Sequence, residues 1–120
     1  MLIGRPFGEV MTLVNKRLRN LTETICCEER FVIIKIADYL CVNIYLPCTG
    51  SINRLSICEA VLYDVCSWLE RYPNCPFIIA GDFNANLDNI NEVSHFVNSF
   101  IVSHNLVRCD TLFPPANKIT

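Results

Sequence analysis

The sequence predicts an α/β (α+β) domain in which the strands come first and the helices follow. Three observations predict it. Residues 22–46 contain three short runs of β-branched and aromatic residues, a pattern typical of strands. Residues 53–72 place apolar side chains at spacings of three and four, which is the period of an amphipathic helix. A short apolar run at 77–80 ends in a polar loop, and a second helical pattern covers 92–104.

Composition sets the class of protein. The chain has 120 residues, of which 52% are hydrophobic and 18% charged, with a net charge of −2. This excludes a disordered or collagen-like chain, and the length suits one domain. No run approaches the roughly 20 apolar residues that a membrane span needs, and no signal-peptide pattern opens the chain. We therefore expect an intracellular protein, nuclear or cytoplasmic, that is neither secreted nor in a membrane.

The eight cysteines are predicted to be reduced. The sequence contains no Cys-x-x-Cys pair and no His at zinc-ligand spacing, which argues against a structural zinc site. A disulfide framework would require a secretory context. Cys41, Cys58 and Cys66 fall within apolar patterns, where a free cysteine acts as a small buried hydrophobe.

The strand region divides into four predicted strands, over 9–14, 22–27, 31–37 and 39–46. Asp38 separates the last two runs, which predicts a tight antiparallel hairpin. Pro47 ends the last strand, because proline cannot donate to a sheet ladder.

The later elements are bounded by caps and breakers. Ser51 or Asn53 can cap the helix at 53–72, and Pro73 ends it. The wholly apolar run at 77–80 is typical of a strand buried on both faces. Residues 106–120 are predicted to begin as a strand and to continue as an extended segment with two prolines.

The informative segment is the polar loop that follows the strand at 77–80. Gly81 lets the backbone turn closely, Asp82 lies at the strand tip, and Phe83 can anchor the loop in the core. Asp82 and Asn84 are two residues apart, so their side chains can face the same side. A carboxylate and an amide held together can orient a water molecule and bind a phosphate oxygen or a metal.

Two other interpretations of this loop stay open. Its alternating Asp and Asn residues are similar to the first positions of a calcium loop, but Leu87 and Val93 stand where that loop needs Gly and Glu. Alternatively, the side chains only satisfy nearby backbone N–H groups in an Asx-turn.

Three sequence blocks in order resemble one family. Residues 81–84 (Gly-Asp-Phe-Asn) are similar to a signature of the endonuclease/exonuclease/phosphatase superfamily, and 43–47 (Asn-Ile-Tyr-Leu-Pro) resemble its upstream strand end. Residues 4–8 (Gly-Arg-Pro-Phe-Gly) resemble the lead-in of endonuclease domains from non-LTR (LINE-like) retrotransposons. The combination is more specific than any single block.

The resemblance implies a four-layer sandwich of two mixed or antiparallel β-sheets flanked by helices. It implies hydrolysis of a DNA phosphodiester by water with Mg²⁺ or Mn²⁺, with a reverse transcriptase as a further part of the parent polyprotein. Asp82 would orient or deprotonate the water, Asn84 would bind the scissile phosphate, and Tyr45 would place its phenol near a non-bridging oxygen. Asp82 and Asn84 would be the candidates to hold the metal.

Several residues that the family uses for catalysis are missing from this sequence. The family's early Asn, its metal-binding Glu and its late Ser-Asp-His block have no counterpart here, so residues 1–120 match one incomplete domain, the middle part of the fold. His95 and His104 lie on the second predicted helix, outside any such motif, and are expected at the surface or in packing. We therefore expect negligible nuclease activity from this chain alone, and a sheet surface left partly uncovered.

Two alternatives to a nuclease fragment remain. A phosphatase of the same superfamily would share Asp82 and Asn84. A non-catalytic relic or interaction module would keep the core without the chemistry.

Overall fold

The computed structural model describes residues 10–112. The chain divides into two compact units, residues 1–85 and 86–120. The first unit contains a 3₁₀ helix, the four strands and the long helix α1, which span Lys16–Leu21, β1 Thr22–Cys27, β2 Phe31–Ile36, β3 Tyr39–Tyr45, α1 Arg54–Leu69 and β4 Phe77–Asp82. The second unit contains two helices, α2 Glu92–Ser103 and α3 Cys109–Leu112.

The four strands form one mixed sheet in the order β1-β2-β3-β4. β1 and β2 pair antiparallel, as do β2 and β3, whereas β3 and β4 pair in parallel. A parallel pair needs a crossover connection, and α1 lies in that connection. The predicted α/β class is confirmed. Residues 10–112 contain a single sheet, so the described part of the chain does not show the second sheet or the four layers that the resemblance implied.

The predicted hairpin is confirmed. Ile36 and Tyr39 face each other in the β2–β3 register, and Ala37 and Asp38 form the turn between them. Ala37 has a positive φ of 52° and so belongs to the turn, one residue after the strand ends. The strand predicted over 31–37 therefore stops at Ile36.

Most of the core of the first unit lies on one face of the sheet and on one face of α1, and β2 also buries Val32 and Ile34 on the opposite face of the sheet. Alternation along β3 buries Leu40, Val42 and Ile44, each at most 2% exposed, and Ile33 pairs with Val42. On α1 the buried side chains recur at helical spacing, as predicted: Cys58, Val61, Leu62 and Val65. All eight cysteines are free, and burial raises the pKa of the Cys58 thiol, which keeps it neutral.

The predicted burial of β4 on both faces is wrong. In the described residues β4 has β3 as its one neighbour, so it lies at an edge of the sheet. Ile78 is 58% exposed and Ala80 is also exposed. A wholly apolar run cannot distinguish a central strand from an edge strand. The expected uncovered sheet surface is confirmed here.

The strand predicted over 9–14 is also wrong where the structure describes it. Residues 10–14 have no strand pairing, whereas Glu9 and the block at 4–8 lie outside the described residues. The Asn43 side-chain amide donates to Met11 O at 3.0 Å and to Thr12 Oγ1 at 3.2 Å. Because β3 has neighbours on both edges, these contacts place the segment over a face of the sheet, where no ladder is available to it.

The first long helix is shorter than predicted. It ends at Leu69, three residues before Tyr72, although the predicted start near residue 53 is confirmed. Asn53 occupies the cap position with φ 59° and makes no side-chain cap bond. Its left-handed conformation replaces the extended one that a capping side chain needs.

The second unit confirms the predicted helix at 92–104, which ends at Ser103. The Asn91 side chain accepts from Ser94 N–H at 2.9 Å and caps the helix. His95 and His104 are both exposed, as expected. The strand predicted from 106 is wrong, because residues 106–108 are irregular and α3 follows; residues 113–120 lie outside the described part.

Among the described residues, no helix has both the length and the apolar character that a membrane crossing requires.

Gly81 has a backbone conformation and surroundings that exclude a side chain. Its φ is +134°, and a Cβ built on it would overlap the backbone of Ile44. We predict that Gly81→Ala lowers the free energy of unfolding by more than the roughly 1–3 kcal/mol of a strained φ, because overlap with backbone is added. Urea unfolding followed by circular dichroism measures this.

Gly50→Ala is the matched control. Gly50 also has a positive φ, +87°, but nothing lies within 4 Å of the position that a Cβ would occupy there. We expect Gly50→Ala to show the conformational cost alone. Equal losses for the two variants would contradict the close approach of β4 to Ile44.

Candidate functional site

The ends of β3 and β4 form the candidate site. Tyr45 and Asp82 are direct partners in the parallel register, at the last position of each strand. Parallel strands reach the same edge of a sheet with their carboxyl ends, and paired residues project to the same face. Tyr45 is half-buried and Asp82 is exposed. A phenol and a carboxylate therefore lie side by side at this edge.

The pairing continues past the strands through a short network. Leu46 N–H donates to Asp82 O at 2.9 Å. The Asn84 side chain donates from Nδ2 to Leu46 O at 2.7 Å. These bonds hold the segment after β3 against the segment after β4, so Asn84 is brought to the same end of the sheet as Tyr45 and Asp82.

The Asx-turn that the sequence left open is present. Asp82 Oδ1 accepts the backbone N–H of Asn84 at 3.0 Å, and Asn84 has a φ of 48°. Asparagine tolerates this left-handed region better than most residues. Asp82 retains its second carboxylate oxygen and Asn84 retains Oδ1 and a second N–H, since each bond uses one atom. The local bonds therefore fix both groups and leave polar atoms for a ligand.

The calcium-loop interpretation gains no support. Asn86 Oδ1 accepts from Asp88 N–H at 3.0 Å, so this part of the loop forms an Asx-turn of its own. Across residues 10–112, no group of three or more His, Cys, Asp or Glu side chains is arranged to hold a metal ion.

Arg30 is a site neighbour that the sequence did not single out. Its carbonyl accepts Tyr45 N–H at 2.8 Å. Its guanidinium lies over the Tyr45 ring, with Cζ 5.3 Å from the ring centroid, and Nη1 donates to Tyr45 O at 3.4 Å. No motif marks this residue, because the antiparallel pairing of β2 with β3 brings it to Tyr45 from 15 positions away.

Arg54 is the second neighbour that the sequence did not single out. It is the first residue of α1 and is half-buried. Its Nη2 donates to Asn84 O at 2.6 Å and its Nε to Pro47 O at 3.4 Å. One signal was available, since a cation at a helix N-terminus opposes the helix dipole and calls for another explanation.

Two arginines lie beside the candidate residues at this end of the sheet. The positive charges of Arg54 and Arg30 both act to lower the pKa of the Cys58 thiol, against the larger effect of burial. Arg54 begins α1, and Arg30 lines a cavity together with Ala60, Val61 and Asp64 of the same helix. The guanidinium groups next to Tyr45 and Asn84 can attract an anionic ligand to this edge, while Glu28, Glu29 and Asp64 lie around Arg30 and oppose this effect.

A cavity of about 320 Å³ lies next to Arg30 in the first unit. It is lined partly by carboxylates, and the candidate residues Tyr45, Asp82 and Asn84 are not in its wall. The lining residues are Glu28, Glu29, Arg30, Phe31, Ala60, Val61 and Asp64. This cavity is separate from the phenol and carboxylate pair.

The residues present do not make up a Mg²⁺ or Mn²⁺ site by themselves. The resemblance pointed to Asp82 and Asn84 as ligands, but together they supply one carboxylate and one amide that is bonded to Leu46 O. Mg²⁺ takes six oxygen ligands in near-octahedral geometry. Within the described residues Asp82 belongs to no group of three or more His, Cys, Asp or Glu side chains arranged to hold a metal ion.

No family model, curated protein or solved structure matches this chain. The chemistry open to the site is therefore judged from the residues that meet there. These are one phenol, one carboxylate and one amide, with two guanidinium groups beside them.

Proposed function

We propose that the chain supplies part of the phosphate-binding site of a phosphodiester hydrolase similar to the endonucleases of non-LTR retrotransposons, with DNA as the substrate. One observation carries the proposal: Tyr45 and Asp82, which come from two separate sequence blocks, are register partners on one face of the sheet. The four-layer sandwich of the resemblance is proposed for the complete domain, in which further segments would cover the exposed face of β4.

Each side chain has a role in this proposal. Asp82 accepts a hydrogen bond from water and aims it at phosphorus, or takes its proton. The Tyr45 phenol donates to a non-bridging oxygen, and Asn84 donates its remaining N–H to the same phosphate. These groups are held in advance by strands and local bonds, so they stabilise developing charge without rearranging.

In this proposal the chain does not carry out the metal-dependent hydrolysis by itself. The described residues lack a metal-binding group, so no step of the proposed role is routed through Mg²⁺ or Mn²⁺. In the proposal, binding of phosphate is a property of this chain, whereas hydrolysis requires groups that the described residues do not assemble.

A second candidate is a non-catalytic module that keeps the core without the chemistry. It is favoured by the bonds of Asp82 to Asn84 N–H and of Asn84 to Leu46 O, since these give both side chains a structural use. The two candidates differ in one respect, because only the first requires the exposed polar atoms to bind phosphate.

Phosphate binding is tested with dimethyl phosphate, a minimal phosphodiester. We expect chemical-shift changes at Tyr45 and Asn84 in ¹H–¹⁵N spectra as the ester is added. Tyr45→Phe should raise the dissociation constant by about two- to tenfold, the effect of one lost hydrogen bond. Tyr39→Phe is the matched control, because Tyr39 begins the same strand on the same face and is 54% exposed. Shifts absent from the wild type, or equal effects of both variants, would favour the non-catalytic module.

Hydrolysis is tested with a supercoiled plasmid in the presence of Mg²⁺ or Mn²⁺. We expect the isolated chain and its Asp82→Ala variant to nick the plasmid equally slowly, at the rate seen in buffer alone, because residues 10–112 contain no metal-binding group. Removal of a single preorganised catalytic group already costs about 10²–10³ in rate. Metal-dependent nicking by the wild type that Asp82→Ala abolishes would refute this expectation.

A further inference from the structure

We propose that Arg54 is a positioning residue that holds Asn84 and the segment after β3 together at the candidate site. Arg54 matters for phosphate binding only if the proposed function is right, so this inference rests on that function. The Arg54 guanidinium group makes two contacts, Nη2 to Asn84 O at 2.6 Å and Nε to Pro47 O at 3.4 Å. The two carbonyls belong to different segments, one after each strand of the parallel pair.

Arg54 is poorly placed for the stability of its own helix. It is the first residue of α1, whose first turn has no acidic side chain, and Asn53 makes no side-chain cap bond. A positive charge at a helix N-terminus is opposed by the dipole of the helix. The contacts that favour an arginine here are therefore those it makes outside α1, to the two carbonyls.

The two segments need a connection of this kind. Pro47 has no N–H with which to hold its own segment, and it is fully buried. Asn84 has a left-handed φ of 48°, a conformation that asparagine tolerates better than most residues and that contacts with its surroundings stabilise further. Arg54 binds the carbonyl of each residue, and the planar guanidinium suits two acceptors better than a lysine ammonium would.

The consequence reaches the candidate ligand groups through Asn84. Its side chain bonds to Leu46 O and its N–H bonds to Asp82 Oδ1, so a shift of the Asn84 backbone would release both. Arg54 itself need not touch the ligand. Its predicted effect is on the order of this segment and, through it, on the orientation of Asp82 and Asn84.

Amide hydrogen exchange measured by NMR tests the proposal. In Arg54→Ala we expect exchange of the Leu46 and Asn84 amides to accelerate by about tenfold, the effect of losing one charge-assisted hydrogen bond. Amides of the β1–β2 pair should be unchanged. Millimolar guanidinium should restore slow exchange in Arg54→Ala, and Arg54→Lys should restore it only in part.

Arg71→Ala is the matched control. Arg71 follows the same helix and lies over the Trp68 ring, 4.3 Å from its centroid, far along α1 from Arg54. We expect this variant to leave Leu46 and Asn84 exchange at the wild-type rate and to show no response to guanidinium.

Three results would overturn the positioning role: unchanged exchange in Arg54→Ala, equal acceleration across the whole sheet, or no recovery with guanidinium. If Arg54→Ala does not fold, Arg54→Lys is measured in its place. Exchange of its Leu46 and Asn84 amides at the wild-type rate would then overturn the positioning role. Titration with dimethyl phosphate separates the two proposals. Local acceleration that guanidinium rescues, in a protein that binds no phosphate, would support the role of Arg54 and reject the proposed function.

Discussion

The parallel pairing of β3 with β4 is the constraint on which the site depends. It places Tyr45 opposite Asp82 and brings the Ile44 backbone against Gly81 too closely for any side chain. The pairing is non-local, since α1 and its connections separate the two strands, and a parallel pair requires such a crossover. Two sequence blocks that are far apart therefore act at one place only if this register forms.

The segments after the strands extend the constraint beyond the sheet. Leu46 N–H bonds to Asp82 O, Asn84 Nδ2 bonds to Leu46 O, and Arg54 bonds to carbonyls of both segments. Each bond alone contributes about 0.5–3 kcal/mol, depending on whether a charge takes part. Together they hold a loop of Asp and Asn residues in an arrangement that is fixed before any ligand arrives. The same bonds give Asp82 and Asn84 a structural role, and the proposed phosphate binding would use the polar atoms that these bonds leave available.

Local patterns in the sequence predicted where the helices and strands lie, but they did not predict how deeply each one is buried. The hairpin at Ala37 and Asp38, α1, α2 and β4 all follow from periodicity and turn residues. The exposure of Ile78 could not be predicted, because an apolar run has no period that reveals which neighbours a strand finds. The strand predicted at 10–14 is absent for a related reason, because a strand needs a free sheet edge as well as suitable residues. Tyr45, Asp82 and Asn84 were found through motifs, whereas Arg30 and Arg54 reach the site only through tertiary contacts.

The register of β3 against β4 is tested most directly by scalar coupling across hydrogen bonds, measured by NMR between ¹⁵N and ¹³C′. The structure predicts a coupling from Leu46 N–H to the Asp82 carbonyl, alongside one from Tyr45 N–H to the Arg30 carbonyl that serves as an internal reference. A coupling from Leu46 to the carbonyl of Ala80 or Asn84 would show a slipped register. That result, or no Leu46 coupling while the reference is visible, would separate Tyr45 from Asp82 and contradict the site.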